Sequence, residues 1–201
     1  MTRAVLPDQG PGRPRSQSTR DAILKATWAI IEEDGLDSLS IEGVAARAAV
    51  GKTTIYRWWT NKRALAVEAF LVEVSPALAF PNTGSAREDI GRQMVQLARV
   101  YRGKTGRIVC EMIGNGQFDR ETLRLFYEGY LLPRRAAAKA VLQRGVDQGE
   151  FKSDIDFEAV IDALYAPLFH RVLIGHASNN AKFLAFLADT VLTAISTHGR
   201  R

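Results

Sequence analysis

The chain has 201 residues, of which 46% are hydrophobic and 24% charged, an ordinary globular mix with room for one domain or a small one joined to a medium one. Lys plus Arg is 27 and Asp plus Glu is 22, a mildly basic net charge of +5. The longest uncharged stretch, the 13 residues Val74 to Ala86, contains two prolines and falls short of the roughly 18 apolar residues of a membrane span. Cys110 is the only cysteine, which excludes an intrachain disulfide framework and a thiolate zinc site. The N-terminal residues lack the apolar run of a secretion signal, so a soluble cytoplasmic protein is expected.

Residues 1–17, rich in Pro, Gly, Arg, Gln and Ser, read as a flexible basic arm. Ser18 with Asp21 three residues on is a candidate helix start. Ile23, Ala26, Trp28, Ile30 and Ile31 then form an apolar stripe near the helical period, and Gly35 stops it. Ser40 is placed to cap a second helix with Glu42 in its first turn, and a break follows at Ala49–Gly51. A short third helix spans Lys52 to Trp58, and Thr60 or Asn61 opens a fourth through Leu65, Phe70 and Leu71. Ser75–Ser85, where Pro76, Pro81, Asn82 and Gly84 cluster, reads as a linker.

Beyond the linker the helical period continues. Ile90, Met94, Leu97, Ala98 and Tyr101 share one face, then Leu123, Phe126, Tyr127, Tyr130 and Leu131. Gly149 ends a helix, Asp154 or Asp156 caps the next, and Asn179 and Asn180 precede the last. Pro167 falls inside a helical stretch and is expected to kink it, while Pro133 either does the same or marks a helix start. No strand-like alternation competes, so the expected fold is all-α.

The positive charge is concentrated. Gly43 to Arg63 holds Arg47, Lys52, Arg57, Lys62 and Arg63 and no acid, while Glu32, Glu33, Asp34 and Asp37 gather at the end of the first helix. Such a stretch suits a phosphate backbone, although a solvated basic face would read the same by charge alone. Two short helices joined by a tight turn and buttressed by a preceding helix are the helix-turn-helix plan, whose second helix leads into the major groove with its N-terminal residues. Here these are Gly51, Lys52, Thr53 and Thr54, while Val50, Ile55 and Trp59 point inward.

The stretch SLSIEGVAARAAVGKTTIYRWWTNKRALAVEAF resembles the DNA-binding domain of TetR-type transcriptional regulators, above all in Thr54-Ile55-Tyr56, the aromatic Trp59, and Lys62 followed by Leu65. RGVDQGEF from Arg144 to Phe151, and the segment from Asp162 through Pro167 and Arg171 to Ile174, resemble one of their C-terminal domain types. The resemblance is strongest over residues 18–70. It implies a three-helix helix-turn-helix domain over 18–74 and a larger helical effector-binding and dimerisation domain over 75–201. It further implies a homodimeric repressor that binds a palindromic operator and is released by a small effector. Two departures stand out: Ala49 occupies a frequent glycine position in the turn, where a Cβ resists positive φ, and Thr60 replaces a frequent proline.

The same resemblance places Lys52, Thr53 and Arg57 near base edges, where Lys or Arg donates to guanine and a threonine methyl meets thymine. Ser40, Thr54, Tyr56, Trp58 and Lys62 are expected on phosphates, and Arg13 and Arg15 on the backbone or in a minor groove. Arg47 is either a phosphate contact or a plain surface residue. Leu164, Leu168, Phe183, Leu187, Val191 and Ile195 form either a dimer interface or part of the monomer core. Met94, Tyr101, Met112, Phe118, Phe126, Tyr127, Tyr130, Tyr165 and Phe169 are candidates to line a pocket for a small apolar or aromatic effector, each with ordinary core packing as its alternative.

Other chemistry finds little support. Gly51-Lys52-Thr53 ends like a phosphate-binding loop, but position 46 is alanine and a helix precedes it. His170 and His176 are six apart, so no metal site is expected, nor any cofactor, and Cys110 reads as a buried structural thiol. No catalytic constellation has a supporting context, which excludes an enzyme. The remaining alternative is a helical protein-interaction module without sequence-specific DNA binding, for which the acid-free basic stretch has no use.

Overall fold

The structure is a computed structural model that describes residues 13–197, with side chains from residue 17 onward. No strand occurs among the described residues, and an isolated antiparallel bridge joins Phe151 to Ser196. Four helices form the N-terminal layer: α1 (Arg13–Asp34), α2 (Ile41–Arg47), α3 (Lys52–Tyr56) and α4 (Lys62–Val74). The C-terminal bundle comprises α5 (Ala86–Val100), α6 (Lys104–Phe118), α7 (Arg120–Phe126), α8 (Leu132–Asp147), α9 (Phe157–Ile174) and α10 (Ala181–Ala194).

Most expected boundaries hold because local chemistry sets them. Gly35, at φ +87°, ends α1 as a left-handed cap. The Ser40 hydroxyl accepts the Gly43 N–H at 3.1 Å and starts α2, and Asn61 caps α4 by accepting the N–H groups of Arg63 and Ala64. Asp156 and Asn180 cap α9 and α10 in the same way. Other boundaries move. The chain is already helical at Arg13, so residues 13–17 of the expected arm belong to α1 and Ser18 lies inside that helix rather than at its start; residues 1–12 lie outside the described residues. The linker is partly ordered: a 3-10 turn, Ser75–Leu78, continues α4 and buries Leu78. Helix α9 runs unbroken through Pro167, while Pro133 sits in the first turn of α8, directly after a π-helical turn at Tyr127–Leu131.

One apolar core runs through both layers. Phe70 of α4 is fully buried, and its ring lies against Trp28 of α1, Phe126 of α7 and Tyr130 of the π turn, at centroid distances of 6.3, 6.1 and 5.1 Å. Polar contacts reinforce the junction: the Leu36 N–H donates to Glu111 at 2.9 Å, and Arg63 pairs with Asp119 at 2.9 Å. At the far end of the bundle the Glu150 carboxylate accepts from the Ser85 hydroxyl and the Ala86 and Arg87 N–H groups at the positive end of α5.

Candidate functional site

The turn between α2 and α3 decides how α3 is presented. The Val50 N–H donates to the Ala45 carbonyl at 3.0 Å and the Ala49 N–H to Ala46 at 3.3 Å, the paired bonds of a Schellman cap. Ala49 sits in the left-handed position at φ +53°, the only non-glycine residue among those described with positive φ, so the expected strain is present. Five residues are too few to hold a helix alone. Helix α3 is fastened from below by Ile55, which is fully buried, and by Trp59, whose indole N–H donates to Glu68 of α4 at 2.6 Å. Arg20 of α1 pairs with the same Glu68, and its guanidinium lies 5.9 and 6.0 Å from the Trp58 and Trp59 rings.

What remains outside is a donor-rich face. Lys52, Thr53 and Arg57 are exposed and Thr54 is half-buried. Tyr56 and Trp58 are 54% and 44% exposed, unusually bare for large aromatics. Arg57 makes no ion pair among the described residues. Lys62 is exposed and its ammonium donates to the Leu39 carbonyl at 3.0 Å, while Ser40 is half-buried in its capping role. Arg47 pairs with Glu33 at 2.6 Å on the flank of the face. The Arg13 and Arg15 side chains lie outside the described ones. Glu42, one residue upstream of the acid-free stretch, reaches across two helices to pair with Lys52 at 3.0 Å, which holds its carboxyl below the usual range. Only the folded turn brings these two together.

The expected effector residues do not converge on one cavity. Met94 and Phe126 are fully buried in the core, and Tyr101 and Tyr130 join hydroxyl to hydroxyl there. Burial pushes both phenols up, so they stay neutral. Tyr165 and Phe169 line a cavity of about 260 Å³ between α5, α8 and α9, whose walls also include Phe80, Leu97, Leu131, Arg134 and Ile161. Met112 and Phe118 border a different cleft, of about 270 Å³, between the two layers; Phe118 is 96% exposed. Tyr127 is 46% exposed on the π turn and lines neither of these two cavities. The cavity residues missed, such as Leu97, Leu131 and Arg134, carry no sequence signal that separates them from core or surface.

The candidate dimer residues divide as well. Leu164 and Leu168 are buried within the monomer, because α9 packs that side against its own bundle, and they are corrected to core. Phe183, Leu187 and Val191 on α10, and Ile195 just after it, are half-buried. The bare apolar side chains nearby are Phe186, 71% exposed, with Leu173 and Ile174 at the end of α9. His170 and His176 do adjoin, with ring centroids 5.0 Å apart, because Gly175 in the left-handed region reverses the chain between them. The spacing argument therefore missed a contact. No group of three His, Cys, Asp or Glu residues suited to a metal occurs among the described residues. Cys110 is half-buried, and burial pushes its thiol up. No described helix is long and apolar enough to cross a membrane.

Known proteins share this arrangement. Residues 23–69 match the bacterial regulatory proteins of the tetR family, and residues 80–191 match the tetracyclin repressor-like C-terminal domain. The HTH-type transcriptional regulator YdeS of Bacillus subtilis is 37% identical over 184 residues, 91% of each chain. The DNA-binding transcriptional repressor TetR of Mycobacteroides abscessus is 31% identical over 191 residues, 93% of this chain and 98% of the relative. The crystal structure of the TetR family transcription regulator SCO0332 superposes with a TM-score of 0.80 at 31% identity, covering 89% of this chain and 98% of that one. With both layers matched in sequence and in fold, the chain belongs to the TetR family of helix-turn-helix transcriptional regulators.

Proposed function

We propose that the protein is a cytoplasmic repressor that binds a two-fold symmetric operator as a homodimer and lets go when a small apolar or aromatic effector occupies its C-terminal domain. The observation that carries this reading is the presentation of α3: a helix pinned by Ile55 and Trp59 that leaves Lys52, Thr53 and Arg57 exposed to solvent. In it, Lys52, Thr53 and Arg57 read base edges. Ser40, Thr54, Tyr56, Trp58 and Lys62 fix register on phosphates, with Arg13 and Arg15 on the backbone or in a minor groove. The DNA-reading part extends to about residue 74, and the remainder dimerises and takes the effector. The exposed Phe186, Leu173 and Ile174 support a partner face formed by α9 and α10, with Phe183, Leu187 and Val191 at its edge. A relative 31% identical to this chain is a DNA-binding transcriptional repressor.

Selection of genomic fragments by the purified chain at physiological salt tests the reading. An inverted repeat should be enriched, with half-sites one helical turn of about 34–36 Å, or a multiple of it, apart. Lys52→Glu with Arg57→Glu should abolish that binding and leave the dimer intact. Undiminished binding would overturn the assignment of α3. No enrichment at any salt by a folded protein would favour a protein-interaction module instead.

A further inference from the structure

We propose that the cavity between α5, α8 and α9 takes an apolar monoanion, a carboxylate on an aromatic or aliphatic body, with Arg134 as its counter-charge. This rests on the reading of the C-terminal domain as the effector-binding part. The cavity holds about 260 Å³, room for a small body such as benzoate or octanoate. Its walls are mainly apolar, with Leu97, Leu131, Ile161 and Phe169 among them.

Two adjacent arginines of α8 reach this space and differ in one respect. Arg135 is already neutralised: Asp162 accepts from it at 2.5 Å, and Glu158 pairs with it too. Arg134 has no carboxylate partner among the described residues. Its contacts are a long 3.5 Å bond to the Leu78 carbonyl and the face of the Tyr130 ring, 5.4 Å from its guanidinium carbon. The side chain cannot shed its proton, and its planar fork offers five N–H donors. The neighbouring phenols supply no anion, because burial keeps Tyr101, Tyr130 and Tyr165 protonated, and the Tyr165 hydroxyl donates to Gln93 at 2.8 Å.

A fixed cation against apolar walls is what a carboxylate needs, since its two oxygens can take two parallel N–H···O bonds from the guanidinium while the body lies on the apolar side chains. Cationic ligands are disfavoured by the same inventory: Asp162, the one carboxylate in the lining, is held by Arg135. Neutral ligands of the same shape would gain the apolar contacts and lose the fork.

The test is calorimetric titration of the full chain with benzoate and octanoate, with their amides, and with benzylamine. Each acid should bind at least tenfold more tightly than its amide, and benzylamine should not bind. Arg134→Met should erase the preference, bringing each acid to within about twofold of its amide. Arg134→Lys, which keeps the charge without the fork, should retain part of it, and it carries the test if the methionine variant fails to fold. Ala166→Phe, which fills the cavity, should abolish binding of acids and amides alike. Equal binding of acid and amide would overturn the charge assignment and leave the effector cavity standing, as would an acid preference that survives in Arg134→Met. Failure of every probe, or binding that survives Ala166→Phe, would overturn the cavity reading itself.

Discussion

Replacement of Ala49 by glycine should stabilise the protein without adding a contact. The residue fills the left-handed position of the cap that joins α2 to α3, at φ +53°, and its methyl group is exposed, so its loss removes no packing. An L-residue with a Cβ carries about 1–2 kcal/mol of strain in that region, which glycine does not. Against this, glycine makes the unfolded chain more flexible, at a cost of about 0.4–1 kcal/mol. The difference leaves a net gain near 0.5–1 kcal/mol, or a rise of about 1–4 °C in melting temperature for a chain of this size. Thermal and urea unfolding at one fixed protomer concentration would read it, since the proposed dimer would make the midpoint concentration-dependent. Ala49→Val should move the other way, because a β-branched side chain tolerates the left-handed region worse than alanine. DNA affinity should stay unchanged, as no donor leaves the α3 face. A lower midpoint for Ala49→Gly would refute the account of a strained cap.

Four further outcomes follow from the same geometry. Glu42→Gln frees Lys52 and removes an anion from the phosphate-facing side, so operator affinity in a fluorescence-anisotropy titration should rise by about two- to fivefold at low salt. A fall would mean that Glu42 positions Lys52 for reading. Lys62→Gln should weaken binding across sequences and flatten the plot of log affinity against log salt by about one unit per protomer; altered sequence preference would contradict a phosphate role. Burial alone would raise the Asp89 carboxyl, but the Thr83 N–H and hydroxyl and the Arg144 guanidinium outweigh it and hold the group below its usual range. A depressed folded value stabilises above the unfolded pKa of about 3.9 and is lost as pH falls through the lower folded value. Asp89→Asn should therefore cost about 2–4 kcal/mol at pH 7, a penalty that shrinks in acid below about pH 4; a penalty constant from pH 7 to 2 would rule the ion pair out as its source. Phe186→Glu should convert the dimer to monomers in analytical ultracentrifugation and leave the helix content intact; a stable dimer would place the interface elsewhere.

The helical period and caps were legible because each is a local event. Ser40, Asn61 and Asp156 do what a capping side chain does whatever lies beyond them. The face of α3 was legible too, since inward Ile55 and Trp59 leave Lys52, Thr53 and Arg57 few places to go. Contacts between distant segments were not. Leu164 and Leu168 look the same in sequence whether their helix packs on its own bundle or on a second subunit. Tyr127 and Tyr130 lie three residues apart, as on one helical face, but the π turn alters the phase and leaves one buried and the other bare. The cavity eluded the sequence for a similar reason: it is defined by side chains that fail to meet, and Arg134 and Arg135 differ only in which carboxylates the fold brings to them.

Because α3 is held by Ile55 and Trp59 from beneath, the side chains that face outward bear almost none of the cost of folding. Lys52, Thr53 and Arg57 are thus free to vary at little risk to the protein's integrity. On the proposed reading of α3, new operator preferences can be sampled by exchanging these positions while the scaffold persists, which would make the short helix a replaceable head on a durable handle. Libraries randomised at 52, 53 and 57 should therefore remain mostly folded, and most of their losses should be losses of address rather than of structure.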